Sequence, residues 1–224
     1  MSDSLRRIRS YVIRAARMSD AQKKAYASLA PLWLIPPGKV VDPEEYFPGK
    51  GKIIIEIGFG MGDATRKVAG AHPDWGIIGI EVHRPGIGKL LWWIEEEKLD
   101  NLYILEADAV EVFSGMIPGN SIDGIHIWFP DPWPKKKHHK RRLIQPDFIK
   151  LLMKTLRKGG YVHAATDWEP YAEHIMEVFT AVPGLKNRYG YWAEKPDYRP
   201  DTKFESRGIA AERPIRDIIF EKER

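Results

Sequence analysis

Between residues 52 and 181 the chain switches repeatedly between two hydrophobic periods, and this alternation restricts its fold more than any other feature. Short runs rich in β-branched and apolar residues occupy 52–57, 76–81, 102–105, 122–129 and 161–165. Runs of that length with few charges read as strands buried on both faces. Helix-period segments lie between them. Residues 63–71 are helix-compatible, and Ile87, Leu90, Leu91 and Ile94 share one helical face that ends near Leu99. Residues 148–157 place Phe148, Leu151, Leu152 and Leu156 on one side, with Gly159-Gly160 as the expected C-cap, and a further helix covers 169–181. Two more strands are predicted at 189–193 and 215–221, bracketing a polar loop over 195–213. The expected architecture is α/β: a mainly parallel, seven-stranded sheet with helices on both faces and right-handed connections.

The N-terminal part reads differently. Residues 1–19 are basic and weakly patterned, which predicts a mobile arm. Ser19-Asp20 caps a short helix predicted to run to Leu29 and stop before Pro31. Pro and Gly are frequent from 31 to 51, which reads as a connector. The expected division is therefore a basic arm and connector at 1–45 and one domain at 46–224.

Charge distribution points to the partner. The net charge of +4 conceals seven Lys/Arg against two acids in residues 1–30, and ten against two in residues 131–158. Cations gathered in two places on an otherwise acidic chain suit a phosphate backbone. Neither stretch carries the apolar stripe of a membrane-surface helix, and no run reaches spanning length. With no cysteine in the chain, thiolate catalysis, disulfides and thiolate zinc sites are excluded. The expectation is a soluble cytoplasmic protein without a signal peptide or a metal, monomeric or homodimeric.

The five main strands each end at or near an acid: Glu56, Glu81, Asp108, Asp131 and Asp167. In an open α/β sheet that rim is where ligands bind. Gly58, Gly60 and Gly62 follow the first strand and let backbone approach a ligand closely. A dinucleotide turn requires Gly-x-Gly-x-x-Gly, but position 63 is Asp, and the phosphate-gripping Gly-Lys-Ser/Thr pattern is missing. Glu56 before the glycines would repel a pyrophosphate and suits a cation. Glu81 is placed to accept from a ribose hydroxyl pair, and Asp108 from an adenine amino group. A nucleoside with a positive centre describes S-adenosylmethionine.

The fourth strand stops at Pro130-Asp131-Pro132-Trp133-Pro134, where three prolines remove three donors and forbid helix. Asp131 sits in this stiff corner among Trp128, Phe129 and Trp133, directly before Lys135, Lys136, Lys137, Lys140, Arg141 and Arg142. A carboxylate beside a dense cationic run suggests chemistry on a polyanion. Trp133 is either a stacking partner for a flipped base or an apolar prop for the loop. His138 and His139 lack metal-ligand spacing, and His83, His126 and His163 read as structural.

Together these residues resemble the single-subunit tRNA guanine-N7 methyltransferases. The motifs are Glu56-Ile-Gly-Phe-Gly-Met-Gly62, Gly79-Ile-Glu81-Val-His83, Phe129-Pro-Asp131-Pro-Trp133-Pro-Lys135, Thr166-Asp167 and Thr202-Lys-Phe-Glu205-Ser-Arg-Gly208. The resemblance spans about residues 50–220 and implies a Rossmann-like class I S-adenosylmethionine-dependent methyltransferase fold. It implies that Glu56, Gly58, Gly60, Gly62, Glu81, Asp108, Ala109 and Asp131 line the cofactor site, with Asp131 also at the reaction centre. It further implies substrate contacts by Lys135, Asp167, Thr202, Lys203, Phe204 and Glu205, with Glu205 and Asp167 as readers of the guanine. Lys136, Lys137, Lys140, Arg141, Arg142 and Arg207 would meet phosphates. The product would be N7-methylguanosine in the tRNA variable loop. A non-catalytic RNA-binding protein and a methyltransferase acting on another RNA are the competing readings; the first leaves the glycine turn and the acidic rim unexplained.

Overall fold

A computed structural model of the chain describes residues 9–11 and 17–223. Most of the arm expected over residues 1–19 lies outside them.

β1 (Lys52–Ile57) is the centre of the sheet, and its isoleucines show why. Ile54 packs into one core, while Ile53, Ile55 and Ile57 pack into the other, all 5% exposed or less. A strand apolar on both faces must be covered twice. β2 (Trp75–Glu81), β3 (Leu102–Glu106), β4 (Ile122–Trp128) and β5 (Leu156–Thr166) run parallel to it. β6 (Leu185–Asn187) and β7 (Arg216–Lys222) complete a seven-stranded sheet of order β3-β2-β1-β4-β5-β7-β6, with β7 antiparallel to β5. On one face lie α1 (Asp20–Trp33), α3 (Asp63–Ala71) and α4 (Arg84–Glu96). On the other lie α5 (Ala109–Gly115), α6 (Pro146–Thr155) and α7 (Glu169–Thr180). Two short helices, α2 (Pro43–Tyr46) and α8 (Lys203–Ala210), lie outside these layers. The expected α/β sheet is present, with both faces covered.

The departures are local and have physical causes. α1 has the capping box foreseen at Ser19, with Gln22 as the reciprocal partner, yet it continues through Pro31. A proline in the last turn costs one helical bond, and the turn still closes from Leu34 N to Ala30 O at 2.9 Å. The expected connector is part of the core: Ile35, Val41 and Phe47 are buried, and Phe47 covers Gly76, where a Cβ would lie 2.4 Å from its ring. α6 stops at Thr155, so Gly159-Gly160 does not cap it. The pair sits instead where β4–β5 pairing shifts from Ile122↔Leu156 to Gly124↔Tyr161, with Gly159 at φ +78°. The strand expected at 189–193 is replaced by β6, which begins four residues earlier, because Gly190 at φ +80° turns the chain and leaves only Ala193 bridged to Asp217. The loop expected over 195–213 contains α8, capped by the Thr202 hydroxyl, which accepts from Glu205 N at 3.0 Å.

Candidate active site

The chain builds β1, β2 and β3 outward in one direction, then places β4 on the other side of β1. The strand order reverses between β1 and β4, and a crevice opens beyond their carboxyl ends. Here a cleft of about 540 Å³ is lined by Glu56 to Met61, Asp63, Glu81, His83, Ala107, Ala109 and Trp128 to Asp131. Thr202, Lys203, Phe204 and Arg207 close it from the α8 side.

The glycine turn forms one wall. Gly58 and Gly60 have φ of +76° and +59°, and a Cβ on either would meet nothing within 4 Å. Their backbone therefore borders open cleft and not protein. Gly62 serves another purpose: at φ +77° it starts α3, and a Cβ there would sit 2.8 Å from the Leu90 side chain. The turn is held from below by Gly86, where a Cβ would fall 1.8 Å from the Gly60 carbonyl oxygen. A glycine in the first turn of a helix goes against propensity. That is the one signal Gly86 carries in the sequence.

Two carboxylates meet this turn. Glu81 accepts from three backbone N–H groups: Gly60 at 2.8 Å, Val82 at 2.7 Å and His83 at 3.0 Å. It thereby ties the end of β2 to the glycine turn. Glu56 is 5% exposed, and burial pushes its carboxyl up to about 7. The nearby Thr65 hydroxyl, which has no hydrogen bond of ordinary geometry, offsets part of this shift, and the charge of Glu81 adds to it. A buried acid poised near neutrality gains most from a cation brought into the cleft.

The opposite wall is the proline corner. Phe129 and Trp133 bracket Pro130-Asp131-Pro132 with φ of +52° and +44°, a region that bulky residues rarely occupy and that costs on the order of 1–3 kcal/mol each. Phe129 is held there by its N–H to Ala165 O at 2.7 Å. Asp131 is exposed and lines the cleft. Trp133 lies under the Arg141 guanidinium, 4.7 Å from its ring, and donates to Ser10 O at 3.0 Å. Of its two readings the structure favours the prop. Ser10 and Tyr11 join the cleft lining on this side. The cationic run forms a 3-10 turn, Lys136–Arg141, with Lys135, Lys136, Lys137 and Lys140 exposed.

A family model described as "Putative methyltransferase" matches residues 50–218. The tRNA (guanine-N(7)-)-methyltransferase of Nitrosospira multiformis is 47% identical over 218 residues, 97% of this chain and 95% of that protein. That of Nitrosomonas europaea is 51% identical over 214 residues, 95% and 96% of the two chains. The chain belongs to the tRNA (guanine-N(7)-)-methyltransferase family. Among solved structures, the 16S rRNA methyltransferase KamB superposes with a TM-score of 0.62 at 15% identity, over 83% of this chain and 95% of that one. TrmN from Thermus thermophilus gives 0.55 at 17% identity, over 80% of this chain and 46% of that one. At that identity the likeness concerns the fold, a Rossmann-like class I methyltransferase sheet.

For a methyltransferase of this family, the cleft gathers many of the residues singled out from the sequence and leaves others aside. Glu56, Gly58, Gly60, Glu81, Ala109, Asp131, Thr202, Lys203, Phe204 and Arg207 line it. Asp108 caps α5, accepting from Val110 N at 2.8 Å, while its neighbours Ala107 and Ala109 face the cleft. Glu205 is not available to read a base: it is buried, with Oε2 at 2.8 Å from Arg199 Nη1 and Oε1 at 3.0 Å from Lys195 Nζ. Asp167 lies behind α8, where Gly208 packs on its Cβ, and pairs with Arg213 at 3.1 Å. Arg142 does not face phosphates. Its side chain is buried, its Nε donates to Pro132 O at 3.0 Å, and its guanidinium stacks 4.7 Å from the Tyr171 ring. It braces the proline corner from inside.

What fixes α8 is a buried cluster with no local signal in the sequence. Arg199 is 2% exposed and lies between Glu205 and Asp217, with Nε 2.7 Å from Asp217 Oδ1. Asp217 also takes the Nε2 hydrogen of His163 at 2.7 Å. The tautomer follows from Trp128, whose indole can only donate and reaches His163 Nδ1 at 3.2 Å. His163 is therefore neutral, and burial holds its basicity below the usual range. Among the described residues no group of three or more His, Asp or Glu side chains is placed to hold a metal ion, and no helix is long and apolar enough to cross a membrane.

Proposed function

We propose that this cleft transfers a methyl group from S-adenosylmethionine to N7 of a guanine in the variable loop of tRNA. One observation carries the reading. An acid-lined glycine turn and an exposed cationic turn flank the same strained corner at the sheet's switch point, with Asp131 between them. The residues present suit the cofactor. The cleft falls within the roughly 300–1,000 Å³ of small-molecule sites, and its glycine backbone borders space that a Cβ would fill. Its buried acid, Glu56, lacks a cationic partner among its described hydrogen bonds and ion pairs.

When bound, S-adenosylmethionine supplies an electrophilic methyl on a sulfonium. Glu56, Gly58, Gly60 and Glu81 would hold it, with Ala107 and Ala109 beside them. Guanine N7 presents a lone pair on the major-groove edge, so no proton has to be removed before attack and no strong base is required. With that donor bound, the N7–methyl bond would form as the sulfur–methyl bond breaks, and the positive charge would move to the purine. Asp131 offsets that charge and fixes the base, and alignment supplies most of the acceleration, where roughly 7–11 kcal/mol is available. Lys135, Lys136, Lys137, Lys140 and Arg141 grip the RNA backbone, with Lys203 and Arg207 at the other lip. Incubation of the protein with methyl-labelled S-adenosylmethionine and unmodified tRNA, followed by nucleoside analysis, tests the reading. Label in N7-methylguanosine is expected, and label in any other nucleoside, or none, overturns it.

A further inference from the structure

Trp128 is the last residue of β4, and although mostly buried it lines the cleft. The register of the sheet sets its surroundings. Glu56 of β1 pairs with His126 of β4, and His126 pairs with His163 of β5. These side chains share one face of the sheet, and Trp128, two residues beyond His126, shares it too. The indole is fixed on two sides. Its N–H donates to His163 Nδ1 at 3.2 Å, and His163 is itself held by Asp217 at 2.7 Å. One face of the ring lies on the His126 imidazole, with planes 18° apart and centroids separated by 4.5 Å. Tyr198 lies parallel to the same imidazole at 5.2 Å, so the support under Trp128 is two rings deep. β4 runs from His126 toward the cleft, and the indole face turned away from His126 is therefore turned toward the cleft. Burial keeps His126 well below its usual basicity, so the ring beneath Trp128 is neutral.

An indole offers a cation the best aromatic face of any side chain. Elsewhere in this protein such faces are taken by its own cations: Trp75, Trp92, Trp93, Trp133 and Trp192 each lie 3.9 to 5.3 Å from a Lys or Arg. Among the described residues no Lys or Arg is placed over Trp128. On the same face of the neighbouring strand stands the buried acid Glu56. We propose that Trp128 is the aromatic face on which the cleft seats the sulfonium of S-adenosylmethionine, and that it makes the site prefer this charged donor to the neutral thioether left after transfer. The two ligands share their adenosine and amino-acid parts, so contacts to those parts hold both alike. The ring separates them because its attraction acts on charge. His163 and His126 are positioning residues in this arrangement, since they fix the plane and the direction of the indole.

The proposal rests on the cofactor reading above, and the test separates the two. Affinities for S-adenosylmethionine and for adenosylhomocysteine are measured by calorimetry in the unaltered protein and in Trp128→Leu. The same measurements are made on protein carrying mono-, di- or trifluorinated tryptophan at position 128 alone. Fluorine withdraws electron density from the ring while keeping its shape and its N–H, so this series decides the matter even where Trp128→Leu fails to fold. A cation on an aromatic face is worth a factor of roughly 2 to 30. Affinity for S-adenosylmethionine is expected to fall with each added fluorine, by at least about fivefold in the trifluorinated protein, while affinity for adenosylhomocysteine stays within about twofold. Trp128→Leu is expected to lose at least about fivefold more affinity for the sulfonium than for the thioether. A parallel fall for both ligands, or a sulfonium affinity that fluorine leaves unchanged, overturns the proposal and leaves Trp128 as packing. Failure of the unaltered protein to bind either ligand overturns the cofactor reading instead.

Discussion

Asp131 and Glu56 are both acids at the cleft, and their surroundings give them different work. Asp131 is exposed at a corner braced by three prolines and by Arg142 from inside. In the proposed mechanism it would offset the positive charge that develops on the purine, and no proton transfer is asked of it. Asp131→Asn is expected to lower kcat on the order of 100-fold at saturating cofactor, as loss of one preorganised electrostatic partner does, while the shape of the pH profile stays the same. Turnover near that of the unaltered protein would remove Asp131 from the mechanism. Glu56 is buried, with its carboxyl pushed up to about 7. Between its ordinary value of 4.5 and about 7 the folded protein holds a proton that the unfolded chain has released. The fold is therefore favoured by this group at low pH and loses that contribution as pH rises through about 7. Glu56→Gln is expected to raise Tm at pH 8 without cofactor and to flatten the dependence of Tm on pH between about 4.5 and 7. The same variant should weaken binding of S-adenosylmethionine, whose sulfonium carries the positive charge, and the tightening of that binding as pH rises through about 7 reports the charged form. A Tm–pH curve unaltered by the substitution would show that Glu56 titrates normally.

At the scale of elements, the site depends on how closely neighbours approach the glycine turn. α4 begins at Arg84, and its Gly86 lets the helix press against the Gly60 carbonyl. Gly86→Ala should cost about 1–3 kcal/mol in stability through overpacking. It should weaken adenosylhomocysteine binding more than tenfold, since the displaced atoms belong to the proposed cofactor wall. Calorimetry and thermal melts read both, and unchanged affinity would show that the turn adapts. α8 illustrates how far an element can be read in advance. Thr202-Lys-Phe-Glu205 has the spacing of a capping box, so a helix start was visible in what was expected to be a polar loop. Only half the box forms, because Glu205 turns away to Arg199. That choice depends on Asp217 and His163, brought in from β7 and β5, and no local pattern encodes it.

For the whole molecule, the cations that remain exposed mark the side proposed to face the RNA. Lys135, Lys136, Lys137 and Lys140 stand clear of the fold, whereas Arg142 is buried in it. Log affinity for RNA falls with log salt by roughly 0.7 per neutralised phosphate on single strands. Replacing those four lysines with Gln should flatten the salt dependence of tRNA binding by two or three units and leave adenosylhomocysteine affinity as it was. An unchanged slope would turn this face away from the RNA.

What the sequence alone determined is the sheet, its buried strands and the acid-and-glycine rim. Those rest on periods and turn chemistry that act within a few residues, so β1 with its four isoleucines and the Pro130–Pro134 corner could be read directly. What only the tertiary structure decided is which charged groups face the cleft. Glu205, Asp167 and Arg142 look like their neighbours in the chain, but Asp167 pairs with Arg213, Arg142 lies against the Tyr171 ring, and Glu205 holds an Arg199 whose other partner is Asp217 of β7. For the buried Glu205 and Arg142 such a partner outweighs exposure to water, because an unpaired buried charge is too costly to keep.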